Sequence, residues 1–256
     1  MPLSVDTILA SMVLFAAPFL RLSAMFAVAP VFSAAGFNVR TRALFAVLVA
    51  ALVAPSLPPP PVTDLLSAAG VLMAIREIGV GIILGFVVQL AFGAAVFAGQ
   101  AISMTMGLGF AMAVDPQNGV QVPVLSQLYI ILATLLFLSL DGHLVLIAAV
   151  VESYQLIPAG ATGIPVASLS AVVALGTLVF AGGILLALPA LTALLLINVA
   201  FGIVTRTAPQ LNIFAVGFPV TILCGLLIMF MVMPGFIDAL ATLMSNALER
   251  GLGALG

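Results

Sequence analysis

Between Glu152 and Arg206 the chain carries no charged side chain, and between Arg206 and Asp238 it again carries none. A helix without charge on any face has no side to offer to water, so it is buried in protein or lies in a membrane. The arginine stands in a short polar island, R-T-A-P-Q-L-N-I-F, from Arg206 to Phe214. The C-terminal third therefore reads as a helical hairpin too apolar for water, with one polar turn at its tip.

The rest of the chain agrees. Of 256 residues, 64% are hydrophobic and 5% are charged, where a soluble domain carries about 25% charged residues. Six arginines, no lysine and eight acids cannot solvate the surface of a monomer this size. The chain is an integral membrane protein or is wrapped by apolar partners. So few cations argue against nucleic acid as a partner, since phosphate neutralisation needs them clustered. Cys224 is alone, which excludes an intrachain disulfide and suits a small buried hydrophobe. The N-terminus, M-P-L-S-V-D, has no basic region, and the first apolar stretch is too long for a secretory signal, so no cleaved signal peptide is expected.

A bilayer span needs about 20 apolar residues. The candidate segments are Ile8–Ala35, Ala43–Leu57, Leu65–Met104, Val124–Val151, Ala167–Thr205 and Ile213–Leu248. The second is short for a span, and the third and fifth are long, which implies tilt, broken helices or projection beyond the hydrocarbon. Pro18 and Pro30 interrupt the first segment, Pro189 the fifth, and Pro219 and Pro234 the sixth. Such breaks persist in a membrane only where neighbours satisfy the freed backbone groups. The fold class is thus an all-α membrane protein of about six long, proline-kinked apolar helices in hairpins, suited to a multi-helix assembly. Three connectors separate the segments: a polyproline run at Pro58–Pro61, a half-apolar Gly- and Met-bearing loop at Met106–Pro123, and a Gly/Pro stretch at Pro158–Pro165.

Arginine placement sets the orientation. With six segments, Arg40, Arg42 and Arg206 share one side. Asp6, Asp64, Glu152, Glu249 and Arg250 take the other. The Arg206 turn is then cytoplasmic and both termini lie outside.

Catalytic and metal patterns are scarce. One His and one Cys cannot build a structural zinc site, and no nucleophile–base constellation appears. Asp141 and His143, in L-D-G-H-L, admit a proton relay, but a turn between apolar helices is the simpler reading. Arg21, Arg76 and Glu77 lie deep in apolar segments. Adjacent helix positions diverge, so Arg76 and Glu77 are not expected to pair with each other. Snorkelling, or an ion pair with another protein, is expected for these charges. Gln89, Gln100, Gln127 and Asn198 are expected to tie helices together. Gly81 and Gly85, with Gly79 before them and Ala91, Ala95 and Gly99 after, form a small-residue stripe for close helix packing. In the Met106 loop, Met104, Met106, Phe110 and Met112 set soft, adaptable side chains beside Gly107 and Gly109. Such a loop either seals a pore or makes ordinary interfacial contacts.

These residues also carry a resemblance. Arg206–Phe214 followed by Gly217-Phe-Pro219 resembles the hallmark of the FliR family of flagellar type III export-gate proteins, which has SctT-type counterparts in injectisomes. Further matching stretches follow in family order: the first segment with Pro18, Arg21 and Pro30, then F-N-V-R-T-R at Phe37–Arg42. Glu77, Gly79, Gly81 and Gly85 come next, then M-G-L-G-F-A-M-A-V-D-P at Met106–Pro116, L-D-G-H-L-V-L-I at Leu140–Ile147 and A-L-P-A at Ala187–Ala190. The resemblance implies a non-enzymatic, cofactor-free core subunit of one export-gate domain, with residues 1–165 FliP-like and residues 166–256 a FliQ-like hairpin. It implies assembly with FliP and FliQ, FlhB at the cytoplasmic entrance, and passage of unfolded flagellar proteins. The place implied is the bacterial inner membrane at the flagellar basal body, with part of the assembly raised towards the periplasm. Met106, Gly107, Gly109, Phe110, Met112, Asp115 and Pro116 would form the plug in the loop 106–123. Arg206, Pro209, Gln210, Asn212 and Phe214 would meet a partner at the mouth. The alternative is a small-solute secondary transporter, which would need a polar site at its helix breaks.

Overall fold

Asn38 shows how this chain starts a helix. In a computed structural model its side-chain oxygen accepts the Arg40 N–H at 3.2 Å, which satisfies one of the open donors at the head of α3 (Val39–Val53). The structure describes residues 5–34, 36–59, 65–108, 124–160, 166–207 and 217–255. Among them all regular structure is helical: α1 (Val5–Val28), α2 (Pro30–Ser33), α3, a 3-10 turn at Ala54–Ser56, and α4 (Ala68–Thr105). Then come α5 (Val124–Ser139), α6 (Gly142–Leu156), α7 (Val166–Leu175), α8 (Thr177–Thr207) and α9 (Phe218–Gly253). Five of the apolar stretches are long enough to cross a membrane, and six if α5 and α6 are one broken span. The all-α membrane class read from the sequence is the class observed.

The boundaries have local causes. Ala29 precedes a proline and is extended (φ −61°, ψ 130°), which ends α1 and lets Pro30 open α2 at the position where its missing N–H costs nothing. Pro219 sits likewise in the first turn of α9, whereas Pro18, Pro189 and Pro234 lie within helices that continue past them. The fourth expected segment is two helices, because Asp141 adopts a left-handed conformation (φ 54°) between them. The fifth is broken at Gly176, between α7 and α8.

Two compact units divide the chain. The FliP-like and FliQ-like division is one of resemblance, which compactness does not test. The first unit comprises residues 1–90, 141–176 and 245–256. Its core includes Leu22, Met25 and Phe26 of α1, Val80 and Leu84 of α4, and Leu146 and Val150 of α6. Phe26 lies 4.4 Å from Phe32 and 5.3 Å from Phe45, ring to ring, which fastens α2 and α3 to α1.

The second unit comprises residues 91–140 and 177–244. Its share of α4 presents Ala91, Ala94, Ala95 and Ala98, all fully buried. A Cβ on Gly99 would lie 2.7 Å from the Ser126 Cα, so α4 and α5 touch backbone to backbone there. Ser126 Oγ donates to the Val96 carbonyl at 3.1 Å across the same contact. Tyr129 and Phe236 meet edge to face at 4.4 Å. The outer faces of α8 and α9 carry large exposed apolar residues such as Leu185, Leu196, Leu223 and Phe230. A surface of that kind suits lipid or a protein partner.

Candidate functional site

The deepest polar site lies in the first unit. Arg21 on α1 donates through Nε to Glu77 Oε2 at 2.7 Å and through Nη2 to Oε1 at 3.1 Å. Its remaining donors reach the Ser153 Oγ at 2.7 Å and the Ile157 carbonyl at 3.1 Å. The Tyr154 hydroxyl donates to Glu77 Oε2 at 2.9 Å, and the Tyr154 ring lies under the guanidinium with its centroid 3.6 Å from Cζ. Arg21, Glu77 and Ser153 are fully buried, and Tyr154 nearly so.

This corrects the expectation that Arg21 and Glu77 snorkel or pair with another protein: they pair with each other. The reason is geometric. Planar guanidinium and carboxylate match as a two-pronged pair, and the last turn of α6 brings Ser153 and the Ile157 carbonyl to accept from Arg21 while the Tyr154 hydroxyl donates to Glu77. Arg76 does not join. It turns outward from Glu77, as adjacent helix positions do, and donates to the Pro158 carbonyl at 3.3 Å. Burying a lone charge is costly, but this one is neutralised and each of its three nitrogens donates a hydrogen bond. Both Glu77 oxygens accept within the cluster. Chemically it is a clamp on α1, α4 and α6.

The sequence shows buried charge, Arg21 in one apolar segment and Arg76 and Glu77 in another, but not which of them pair. Tyr154, one of two tyrosines in the chain, gave no hint of its partners, because its distance in sequence from both is large.

Gly81 and Gly85 hold the same helices together. The Arg21 carbonyl occupies the place where a Cβ on Gly81 would stand. A Cβ on Gly85 would lie 2.8 Å from the Met25 carbonyl. The two glycines therefore set how closely α4 approaches α1.

The residues that the resemblance implies for a plug divide. Met106, Gly107 and Leu108 are described, while Gly109, Phe110, Met112, Asp115 and Pro116 lie outside the described residues. Gly107 is left-handed (φ 83°). Its N–H donates to the Met104 carbonyl at 3.1 Å, and the Leu108 N–H reaches back to the Ser103 carbonyl at 3.1 Å. That pair of bonds is the Schellman helix stop, which favours glycine at this position. The Phe218 ring closes over Gly107, with Cε1 2.5 Å from where a Cβ would be. Met106 is fully buried, and its Sδ and Cε lie against Gly225 of α9. Met106 and Gly107 thus anchor the start of the loop.

Arg206 is exposed in the last turn of α8, where a cation complements the helix C-terminus. Pro209, Gln210, Asn212 and Phe214 lie outside the described residues. Asp141 is exposed in the turn between α5 and α6. His143 Nδ1 is buried and has no hydrogen-bond partner among the described residues. Of the four uncharged polar residues expected to tie helices, Asn198 does so, donating to the Thr105 carbonyl at 3.2 Å. Gln89 and Gln127 instead stand on exposed faces. Among the described residues there is no cluster of His, Cys, Asp or Glu that could hold a metal ion.

Comparison with known proteins matches the chain to the family "Bacterial export proteins, family 1" over residues 12–247. It is 42% identical over 217 residues to the flagellar biosynthetic protein FliR of Pectobacterium carotovorum subsp. carotovorum, covering 85% of this chain and 83% of that one. Against FliR of Escherichia coli (strain K12) the identity is 39% over 217 residues, with the same coverage of 85% and 83%. Against FliR of Bacillus subtilis (strain 168) it is 29% over 246 residues, 93% of each chain. The chain belongs to the bacterial export proteins of family 1, the family of these FliR proteins.

Proposed function

We propose that this chain is a non-enzymatic core subunit of the flagellar type III export gate, through which unfolded flagellar proteins leave the cell. One observation carries the reading: 42% identity to a FliR protein over 85% of the chain, in a chain built of apolar, membrane-length helices. In this reading the protein sits in the bacterial inner membrane at the flagellar basal body and assembles with FliP and FliQ. FlhB meets it at the cytoplasmic entrance. The Arg206–Phe214 turn faces that entrance, and part of the assembly rises towards the periplasm.

The loop after Gly107 is the plug, with Phe110 foremost in the lumen. The helix stop supports this, because it fixes where the loop begins while Met106 and Phe218 hold its root. The small-solute transporter reading gains no support from the Arg21–Glu77 cluster, whose groups are taken up by each other.

Replacement of the resident FliR in a motile bacterium tests the gate reading. Restored secretion of flagellar subunits is expected, and a secretion-negative strain with the chain present in its membrane overturns it. The plug is tested by deleting residues 109–116 and sparing Met106 and Gly107, which have structural work of their own. The deletion is expected to let small ions leak while the gate still assembles. Conductance at background in an assembled gate would sink the plug assignment.

A further inference from the structure

Two cations are buried among the described residues, Arg21 and Arg76. Arg21 has Glu77, whereas Arg76 meets no acid. Arg76 is only 5% exposed. One of its guanidinium N–H groups goes to the Pro158 carbonyl, at 3.3 Å. Nε is enclosed without an acceptor. Nη1 also makes no hydrogen bond to the described residues, and it is not enclosed as Nε is. The neighbouring Arg21–Glu77 pair cancels its own charge and has none to spare for Arg76. A buried charge in this condition is strongly unfavourable until an opposite charge meets it. An arginine does not escape by losing its proton.

The depth of Arg76 suggests what meets it. The 38 residues of α4 span about 57 Å, against about 30 Å of hydrocarbon. A helix centred on the membrane then overhangs by about 13 Å at each end. Arg76 lies about 12 Å along α4 from Ala68, which puts it where hydrocarbon gives way to headgroups. Its contact Pro158 stands just past the end of α6, so two helix ends meet at this level. We propose that Arg76 is an anion site for a phosphate group carrying net negative charge, held by Nη1 together with the unspent N–H of Nη2. A guanidinium offers phosphate oxygens a matching pair of donors. The phosphate comes from the headgroup of an anionic lipid or from free phosphate at the same membrane face.

The test uses the full chain in nanodiscs of phosphatidylcholine, whose headgroup has no net charge. In one arm part of that lipid is replaced by phosphatidylglycerol. In the other, inorganic phosphate is added at constant ionic strength. With the bound anion at about ten times its Kd, the melting temperature should rise by about 3–6 °C. Arg76→Gln should abolish the rise. Before any anion is added it should melt no lower than the original chain, because it removes an uncompensated charge. Arg40→Gln, which removes an exposed cation, should keep the rise. A rise with phosphatidylglycerol alone assigns a lipid phosphate, and a rise with inorganic phosphate assigns a free one. No rise in either arm, or a rise of the same size in Arg76→Gln, overturns the proposal. So does an Arg76→Gln chain that melts lower, or fails to fold, without anion.

Discussion

Arg21 and Glu77, 56 residues apart in sequence, form a two-pronged ion pair at 2.7 and 3.1 Å with neither side chain exposed. The pair joins α1 to α4 where Gly81 brings their backbones closest, so charge and close packing act on one contact.

Removing one partner should therefore cost far more than removing both. Glu77→Gln leaves the guanidinium buried without its counter-charge and is expected to destabilise by about 3–5 kcal/mol. Arg21→Met combined with Glu77→Leu removes both charges at similar volume and should recover most of that loss. Unfolding midpoints in detergent for the two single variants and the double variant decide it. A double variant as unstable as the sum of the singles would refute the clamp.

Tyr154 has two separable contributions. Tyr154→Phe keeps the ring beneath the guanidinium and loses only the hydroxyl bond to Glu77, a loss of about 1.5–3 kcal/mol for a hydrogen bond to a charged group. Tyr154→Leu also loses the stacking, for a further ~0.5–2 kcal/mol. Equal stabilities for the two variants would mean that the ring contributes nothing beyond its volume.

Glycines in this chain should answer differently to alanine according to what they face. Gly85→Ala drives a Cβ against the Met25 carbonyl and should cost about 1–3 kcal/mol, with Gly81→Ala costlier still. Gly202, within α8, has nothing near its missing Cβ, so Gly202→Ala should stabilise by up to ~1 kcal/mol. The measurement is the same melt in detergent, and a loss at Gly202 matching that at Gly85 would contradict the close approach.

Much of this was legible from residue types. Uncharged stretches fix the membrane class, Gly81 and Gly85 mark a packing face, and Pro30 marks a helix end, because each depends on local chemistry. The Arg21–Glu77–Tyr154 cluster was not legible, because its members meet only after three helices have packed. For Gly107 and Met106 the residues allow either a pore seal or ordinary interfacial contacts, and the resemblance implies the plug. A glycine after an apolar helix signals a helix stop equally well, and Met106 gives no sign in sequence that Gly225 awaits it. Gln89 is expected to tie helices together, and its exposure is visible only once the covered faces of α4 are known.

Gly107 offers the sharpest separation of fold from gate. Gly107→Ala must hold alanine at φ 83°, at about 1–2 kcal/mol, and must also displace the Phe218 ring. The variant should lower the melting temperature, and adding Phe218→Ala should relieve the steric part of the gain in strain but not the backbone part. On the proposed plug reading, ion leakage should stay low in both variants wherever the protein remains folded, because residues 109–116 are intact. Leakage from Gly107→Ala at full stability would instead place this glycine in the seal itself.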